Sequence, residues 1–234
     1  MLEVNGLNVR YGSVEALRDV SIKVETGGLV AILGANGAGK STLLRAISGI
    51  ARAASGTIAL GGEPITDLGA EEIVRRGVSH VPEGRGIFPD LTVSENLMIG
   101  AYVRRGQNVS ADYSRVMEMF PPIERRERQF GYTLSGGEQQ MLALAQALVS
   151  QPRFVLIDEL SLGLAPLIVQ RLIPTIRTVT ESGAGVLLIE QFAAVALGLA
   201  SHVYVMDRGR VRFSGSANEL RSAPELLHSA YLPR

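Results

Sequence analysis

Apolar residues along the chain follow two patterns that are both typical of strands. Residues 20–24 alternate apolar and polar side chains, as in a strand with one buried face. Residues 28–34, 154–158 and 186–190 are almost continuously apolar, which indicates strands of a parallel sheet that are buried on both faces. A helical pattern at 167–181 lies between the last two of these runs. The alternation of buried strands with helices predicts an α/β fold.

Further short elements complete the predicted α/β part of the chain. Glycines mark where several of them turn or end, because glycine adopts backbone conformations that other residues avoid. The predictions are a strand at 2–11, a helix over 40–50, a hairpin over 56–65 that turns at Gly61 and Gly62, a helix over 67–76 that Gly77 ends, a strand at 78–81, a strand pair over 202–215 that turns at Arg208 and Gly209, and a C-terminal helix over 218–231.

Between its two α/β stretches the chain changes to helical patterns. A capping box at 92–95 opens a helical segment around 96–104, and a second helix follows at 114–120 before two prolines. Because this block interrupts the α/β pattern instead of following it, we expect a helical subdomain over 84–150 inserted into one domain. The core and an antiparallel β-subdomain are then formed by 1–83 and 151–234.

The balance of charged residues and the cysteine count limit the kinds of ligand and chemistry that the chain can use. The 23 basic and 23 acidic residues balance, so nothing predicts binding to nucleic acid through net charge, and any anion site has to be local. The chain contains no cysteine, which excludes disulfides, zinc–thiolate sites and thiol nucleophiles.

The apolar stretches do not predict a membrane protein. The first residues have neither the apolar core nor the cleavage site of a signal peptide. The longest apolar stretch, 183–200, carries Glu190 and Gln191 at its middle. A buried strand followed by a helix therefore explains it better than a membrane span of about 20 apolar residues. We expect a cytoplasmic protein, peripheral on the inner face of the cell membrane, that contacts the membrane only through a partner.

A glycine-rich segment follows the buried strand at 28–34 and precedes a helix. It fits the pattern Gly-x-x-x-x-Gly-Lys-Ser, whose curled backbone directs N–H groups at phosphate oxygens beside the positive end of the helix dipole. Lys40 would reach the β- and γ-phosphates, and the Ser41 hydroxyl would bind Mg²⁺. A glycine-rich turn without a ligand is the alternative, but its flanking strand and helix favour a nucleotide site. The segment comprises Gly34, Ala35, Asn36, Gly37, Ala38, Gly39, Lys40, Ser41 and Thr42.

Two carboxylates, Asp158 and Glu159, end the buried strand at 154–158. The carboxyl ends of parallel strands converge on the ligand crevice of an α/β sheet. We therefore expect Asp158 to hold Mg²⁺ mainly through water, and Glu159 to accept a proton from the water that attacks the γ-phosphate. A strand capped by solvated acids is the alternative. ATP and Mg²⁺ are thus the predicted nucleotide and metal.

The segment LSGGEQQ at 134–140 is the third motif. Ser135 and Glu138 form a capping box that opens a helix. Gly136 and Gly137 between them would let an anion approach the N–H groups at the start of that helix. A capped helix without a ligand would explain the serine and the glutamate but not the paired glycines.

With these motifs the sequence resembles, over its whole length, the ATP-binding domains of ABC transporters, whose signature is Leu-Ser-Gly-Gly-Gln. The resemblance implies a P-loop NTPase core with an antiparallel β-subdomain and an inserted helical signature subdomain. It implies that ATP lies between two such subunits, one supplying Lys40 and Asp158 and the other its signature helix. It also implies that Tyr11 stacks on adenine, although a tyrosine packed in a strand pair is the alternative. Residues 161–164 would form the D-loop at the dimer interface.

Three positions depart from the general pattern of that family. Glu83 stands where most members have glutamine, Gln191 stands at the position of a switch histidine, and Leu160 stands where proline is usual. The first two resemble the smaller ATP-binding subunit of branched-chain amino-acid importers (the LivF type), which pairs with a different ATP-binding chain. Glu83 would contact the nucleotide and its metal, or else be a loop acid that faces a permease. Gln191 would donate to the γ-phosphate, or else merely end a buried strand, and Leu160 would fix its turn less firmly than proline.

The resemblance implies an importer with several subunits. The partners would be a second ABC ATP-binding subunit, two integral-membrane permease subunits and, indirectly, a periplasmic binding protein, with no nucleic acid. Alternatives are the same machinery with urea, short amides or other amino acids as cargo, or an ABC ATPase that does not act in transport. The histidines, His80, His202 and His228, do not fall at the switch position and are expected to be ordinary structural or surface residues.

Overall fold

The computed structural model describes residues 1–84, 86–161, 163–222 and 225 of the 234-residue chain. The strands of this described part are β1 (Leu2–Tyr11), β2 (Val14–Val24), β3 (Leu29–Leu33), β4 (Ser55–Leu60), β5 (Glu63–Pro64), β6 (Val78–Val81), β7 (Phe154–Asp158), β8 (Gly185–Ile189), β9 (His202–Asp207) and β10 (Arg210–Ser216). The helices are α1 (Lys40–Ile47), α2 (Ala70–Arg75), α3 (Val93–Gly100), α4 (Ser110–Met119), α5 (Pro121–Glu124), α6 (Gly136–Leu148), α7 (Pro166–Glu181), α8 (Ala193–Leu199) and α9 (Ala217–Ser222), with 3₁₀ turns at Tyr102–Arg104 and Gly131–Thr133.

The larger sheet has the strand order β10–β9–β3–β8–β7–β6 and is parallel except for β10. Its central strands β3, β8 and β7 are the three predicted apolar runs, and every residue in them is buried. The prediction of strands buried on both faces is confirmed. Their carboxyl ends meet at one edge of the sheet, and the loops that leave this edge carry the candidate site.

The smaller sheet is antiparallel, with the order β2–β1–β4–β5. Its alternating pattern is confirmed in β2, where Val20, Ile22 and Val24 are buried and the residues between them are exposed. The predicted turn at Gly61 and Gly62 joins β4 to β5. The predicted combination of an α/β core and an antiparallel β-sheet is therefore confirmed.

Two hydrophobic cores lie on opposite faces of the larger sheet. Ala31 and Leu33 of β3 face the core that contains the buried side chains of α3 to α7. Val30 and Ile32, the alternate residues of the same strand, face the core formed with α1 and the antiparallel sheet. This alternation follows from the twofold repeat of a strand, and it fixes β3 and the loop after it from both sides.

Several predicted helix bounds were wrong. Helix α2 begins at Ala70 instead of residue 67, because Gly69 before it is extended with φ −74° and ψ 161°. Helix α4 begins at Ser110 instead of residue 114, because the Asn108 side chain accepts a hydrogen bond from the Ser110 N–H at 3.0 Å. Helix α1 ends at Ile47, before the predicted residue 50, and α3 ends at Gly100, before the predicted residue 104.

The C-terminal helix begins at Ala217, one residue before its predicted start. The part of that prediction at 223, 224 and 226–231, together with His228, lies outside the described residues. Helices α3 to α6 fall within 84–150, while the exact subdomain boundaries stay a prediction. No helix in the described part of the chain is both long and apolar enough to cross a bilayer.

Candidate nucleotide site

The loop between β3 and α1 curls tightly because two of its glycines have no room for a side chain. Gly34 has a φ of 149°, and a Cβ there would lie 2.2 Å from the Met206 carbonyl oxygen. Gly39 has a φ of 99° and would place a Cβ 2.8 Å from the Ala16 carbonyl oxygen. Since only glycine avoids both the contact and the backbone strain, these positions fix the path of the loop to the N-terminus of α1.

The side chain of Lys40 folds back onto this loop. Its Nζ donates hydrogen bonds to the carbonyl oxygens of Gly34 at 2.8 Å and Ala35 at 3.1 Å. The residue is 4% exposed, and this burial lowers the pKa of the ammonium, while nearby carboxylates raise it. A strong donor is thus held beside the loop, where a phosphate oxygen could replace a carbonyl oxygen as its acceptor.

Ser41, the second residue of α1, meets the carboxyl end of β7. Its Oγ donates a hydrogen bond to Asp158 Oδ1 at 3.3 Å. Burial raises the pKa of the Asp158 carboxyl, and the bond from Ser41 lowers it. A hydroxyl and a carboxylate that are 117 residues apart in sequence therefore lie side by side. Both are oxygen ligands of the kind that hard cations prefer.

Glu159 follows β7 in a backbone conformation that few residues other than glycine adopt. Its φ of 51° lies in the left-handed region, which costs an ordinary residue about 1–2 kcal/mol. Its N–H donates to the Ile189 carbonyl oxygen of β8 at 3.0 Å, which holds the turn against the neighbouring strand. Burial raises the pKa of the Glu159 carboxyl, Glu83 adds to this effect and Lys40 opposes it. A carboxylate with a raised pKa is a stronger general base.

Half of the predicted site residues line one cavity of about 700 Å³. Glu83 reaches it from the loop after β6, and Gln191 reaches it from the loop after β8. Asp158 adjoins it through its hydrogen bond to Ser41. The predicted residues that line the cavity are Asn36, Gly37, Gly39, Lys40, Ser41, Thr42, Glu83, Glu159 and Gln191.

The cavity also has lining residues that the sequence analysis missed. Arg18 and Arg208 bring two cationic side chains to it, and Glu15 lies 3.1 Å from the Arg18 guanidinium. The turn between β9 and β10 reaches the cavity because Gly209 bonds on both sides, accepting from the Arg18 N–H at 2.8 Å and donating to the Ala38 carbonyl at 2.9 Å. Arg18 and Arg208 lie in no local motif, and only the packing of the β9–β10 turn against β2 and the loop before α1 reveals them.

Other predicted residues are not among those that line the cavity in the described part of the chain. Tyr11 is 47% exposed at the end of β1, and its strand partner Val14 is a lining residue. Gly34, Ala35 and Ala38 belong to the loop between β3 and α1 but are not lining residues. The segment Ser135, Gly136, Gly137 and Glu138 is also outside the lining.

That segment is a preorganised helix start. Ser135 caps α6 in the predicted capping box, because its Oγ accepts from the Glu138 N–H and Glu138 Oε2 accepts from both the N–H and the Oγ of Ser135 at 2.8 Å. The other oxygen of Glu138 lies 3.0 Å from Arg126 Nε. A Cβ at Gly137 would lie 2.5 Å from Ile168 Cγ2, so this glycine permits close packing of α6 against α7.

Leu160 replaces the usual proline without leaving the turn after β7 loose. Its side chain is 0% exposed and belongs to the core that contains α3 to α7. Burying a leucine side chain stabilises a protein by about 1.5–3 kcal/mol. The packing of the Leu160 side chain therefore holds this turn in place, as the rigid ring of a proline would. Leu162, within the predicted D-loop, lies outside the described residues, as does Arg85.

Comparison with known proteins agrees with this geometry. The profile of the family described as "ABC transporter" matches residues 17–161. This span includes the glycine-rich loop, the segment from Ser135 to Glu138, and both carboxylates after β7.

Relatives that are named for branched-chain amino-acid transport match 94% or more of the chain. "High-affinity branched-chain amino acid transport ATP-binding protein BraG" of Pseudomonas aeruginosa is 42% identical over 232 residues, 99% of either chain. "Probable branched-chain amino acid transport ATP-binding protein LivF" of Archaeoglobus fulgidus is 35% identical and 94% of either chain is covered. A solved structure described as "Structure of ATP binding subunit of ABC transporter" has 31% identity and a TM-score of 0.83, covering 99% of this chain and 95% of that one.

Proposed function

Since this chain belongs to the ABC transporter family, we propose that it hydrolyses ATP in the cavity at the end of β3 and β7 to power the uptake of branched-chain amino acids. The observation that carries the proposal is the convergence of Lys40, Ser41 and Glu159 on this one cavity, with Asp158 bonded to Ser41. These residues come from two distant stretches of sequence, and each has a distinct chemical task there.

The loop at 34–39 and the start of α1 bind the triphosphate in this proposal. Backbone N–H groups and the dipole of α1 favour an anion at this position, and the Lys40 ammonium neutralises charge on the β- and γ-phosphates. Tyr11, exposed at the end of β1 beside the lining residue Val14, offers its ring to the adenine base.

The residues beside α1 also fit a magnesium ion. Ser41 and Asp158 present adjacent oxygens, and Glu83 is close enough to raise the pKa of Asp158. No group of three or more His, Cys, Asp or Glu side chains suited to a metal occurs in the described part of the chain. The donor set of Ser41, Asp158 and Glu83 suits Mg²⁺, which proteins bind through one or two carboxylates together with substrate phosphates. When bound, Mg²⁺ would neutralise phosphate charge.

Glu159 and Gln191 supply the remaining groups for hydrolysis. The Glu159 carboxylate accepts the proton of the attacking water, and its raised pKa suits it to that role. The amide of Gln191 donates a hydrogen bond to the γ-phosphate, in place of a switch histidine. Both residues line the same cavity.

A second ATP-binding subunit completes each site. The capped helix start at Ser135 carries the features of an anion site, yet its residues are not among those that line this chain's own cavity. We infer that it faces the γ-phosphate bound in the partner's cavity, and that the partner's equivalent segment closes this one. Residues 161–164 would cross the interface between the two subunits.

The cargo is proposed from the relatives. BraG, which is 42% identical over nearly the whole chain, is named for high-affinity branched-chain amino-acid transport. The chain would then act at the inner face of the membrane, bound to two integral-membrane permease subunits that receive their cargo from a periplasmic binding protein. Urea, amides and other amino acids are the competing cargoes.

The test uses the transporter as it exists. The affinity-tagged full chain would be purified together with the subunits it retains and reconstituted into vesicles, and uptake of leucine, valine, urea and acetamide would be compared with and without ATP. We expect ATP-dependent uptake of the branched-chain amino acids. Lys40→Ala should weaken ATP binding about 10- to 100-fold, because a charge-assisted contact worth about 1.5–3 kcal/mol is lost.

Two results would contradict the proposal. ATP hydrolysis at the wild-type rate by Lys40→Ala would show that the nucleotide is bound elsewhere. Uptake of urea or acetamide without uptake of leucine or valine would exclude the proposed cargo but leave the ATPase assignment intact. As a control, Arg75→Ala removes an exposed cation that pairs with Glu71 in an i,i+4 bridge on α2, and it should leave ATP binding unchanged.

A further inference from the structure

Glu190 is a buried carboxylate to which the proposed hydrolysis assigns no task. It directly follows β8, and the residue is 0% exposed. A buried charge is costly unless hydrogen bonds satisfy it, so its place in the fold needs a structural reason. Three donors surround it, since Oε1 accepts from the Ser161 N–H at 3.0 Å, Oε2 accepts from Ser161 Oγ at 2.5 Å, and the Phe192 N–H also bonds to it.

These bonds join two short segments that both carry cavity residues. Ser161 lies two residues after Glu159, and Glu190 lies one residue before Gln191. The Glu159 N–H adds a parallel link by donating to Ile189 at 3.0 Å. The turns that follow β7 and β8 are therefore tied together within two residues of Glu159 and Gln191 in sequence.

The first of these turns needs such a tie. Glu159 has a left-handed backbone with a φ of 51°, a conformation that persists in an ordinary residue only where its surroundings enforce it. Leu160 holds the turn from the core side by its full burial. Glu190 holds it from the side of β8 through Ser161, which is itself only 4% exposed. Relaxation of this turn would swing the Glu159 carboxylate away from its position in the cavity.

The donors match an ionised carboxylate. Burial is the largest influence on Glu190 and raises its pKa, whereas the bonds from Ser161 and Phe192 lower it. Each of the three donors offers a hydrogen, and a carboxylate accepts at both oxygens. A similar bond holds Ser216 at the start of α9, where the exposed Glu219 accepts at Oε2 from the Ser216 N–H at 2.6 Å, and neither of these two residues lines the cavity.

We propose that Glu190 is a positioning residue for ATP hydrolysis, which clasps Ser161 so that Glu159 and Gln191 keep the arrangement needed for attack on the γ-phosphate. This inference rests on the proposed function of the cavity. It assigns Glu190 no contact with ATP. Its loss should therefore slow the chemical step and leave the binding of ATP nearly unchanged.

The test compares turnover and ATP affinity in the same complex, purified with the full chain. Glu190→Ala should lower kcat about 10- to 100-fold, because misplacing a catalytic group by about 1 Å costs that order of rate. Its Kd for ATP should stay within about threefold, which is less than 1 kcal/mol. Glu190→Gln should recover part of kcat, since the amide oxygen still accepts from the Ser161 N–H and the Ser161 hydroxyl can turn to accept from the amide nitrogen.

Two further variants separate positioning from general loss of structure. Glu219→Ala removes the comparable clasp at Ser216 and should keep the wild-type kcat. Ser161→Ala should lower kcat by itself but add less than about twofold to Glu190→Ala, because residues that act through one contact are not additive.

The outcomes distinguish this inference from the proposed function. A wild-type kcat in Glu190→Ala, a loss of ATP affinity in proportion to kcat, or full additivity with Ser161→Ala would each overturn the role of Glu190 and leave the ATPase assignment standing. If Glu190→Gln were as slow as Glu190→Ala, the clasp described here would be wrong. Absence of turnover in the wild-type complex would overturn the proposed function and this inference with it.

Discussion

Gln191 lies at the position of a switch histidine, and this replacement changes the chemistry of the cavity. It lies on the cavity wall two residues after β8, and Glu159 lines the same cavity. Its amide donates a hydrogen bond but stays neutral at every pH, whereas an imidazole becomes cationic near pH 6.5. Hydrolysis at this site should therefore lack the titration that a histidine would introduce.

We expect Gln191→Ala to slow hydrolysis at least about tenfold, because the removal of one preorganised donor costs several kcal/mol of transition-state stabilisation. Gln191→His should restore the rate at low pH and introduce a titration near pH 6.5. Rates would be measured from about pH 5.5 to 8 with the partner's own phosphate-loop lysine disabled. Identical rates and identical pH profiles for the wild type and both variants would show that Gln191 only ends a buried strand.

The site residues divide into those that sequence could predict and those that it could not. Lys40, Ser41 and Glu159 could be predicted because each stands in a short motif directly after a buried strand, and the fold brings such positions together. Arg18 and Arg208 could not, since they depend on how the turn after β9 packs against β2 and the phosphate loop.

At the scale of the element, β6 carries a half-buried histidine with a lowered pKa. His80 lies on this edge strand of the larger sheet, and its Nε2 is buried with no hydrogen-bond partner among the described residues. Burial, with a smaller contribution from Arg45, lowers the pKa of His80 to about 4. The expectation that this histidine is structural agrees with its position on β6, away from the residues that line the cavity in the described part of the chain.

Protonation of His80 in the unfolded chain should lower the free energy of unfolding in mild acid. In the unfolded chain His80 takes up a proton near pH 6.5, whereas in the folded chain it resists protonation down to about pH 4. The unfolding free energy should thus be highest above pH 6.5 and fall between these two values, by up to about 1.4 kcal/mol per pH unit and about 3 kcal/mol in total.

The measurement is urea unfolding of the wild type and His80→Gln at several pH values between about 7 and 4. The substitution removes this one titration, so the wild type should lose about 2–3 kcal/mol more than the variant over that range. Other carboxylates titrate equally in both proteins and cancel in the comparison. Parallel stability curves would show that His80 is not kept neutral by the fold.

The elements themselves were predictable to different degrees. Strands β3, β7 and β8 were predictable, because a short, continuous apolar run between turn signals is typical of a strand buried on both faces. The starts of α2 and α4 were not, since they depend on an extended Gly69 and on the Asn108 side chain rather than on hydrophobic period. Capping boxes gave accurate starts for α3 and α6, because their serine or threonine and glutamate bond to each other locally.

At the scale of the whole molecule, the proposed pairing makes ATP part of the subunit interface. Glu159→Gln should keep the affinity for ATP and lose turnover, because the base is needed for chemistry and not for binding. With its partner subunit present, ATP should then hold the variant as a closed dimer on size-exclusion chromatography.

Matched controls locate the cause of that dimer. Lys40→Ala in the Glu159→Gln background should prevent dimerisation by ATP, and so should Ser135→Arg, which places a bulky side chain at the exposed start of α6. A monomer in saturating ATP, or normal turnover by Glu159→Gln, would contradict the assignment of the base or the pairing.

The separation of Ser135 from the cavity of its own chain has a consequence for inheritance. If two unlike subunits pair, each gene encodes one half of both active sites, so no site is the property of a single gene. A substitution at the start of α6 then alters the partner's active site, while a substitution in the loop at 34–39 alters the active site of the chain that carries it. After a gene duplication, the two sites can therefore diverge in chemistry, with one specialised for turnover and the other for holding the pair together, although neither copy evolves alone.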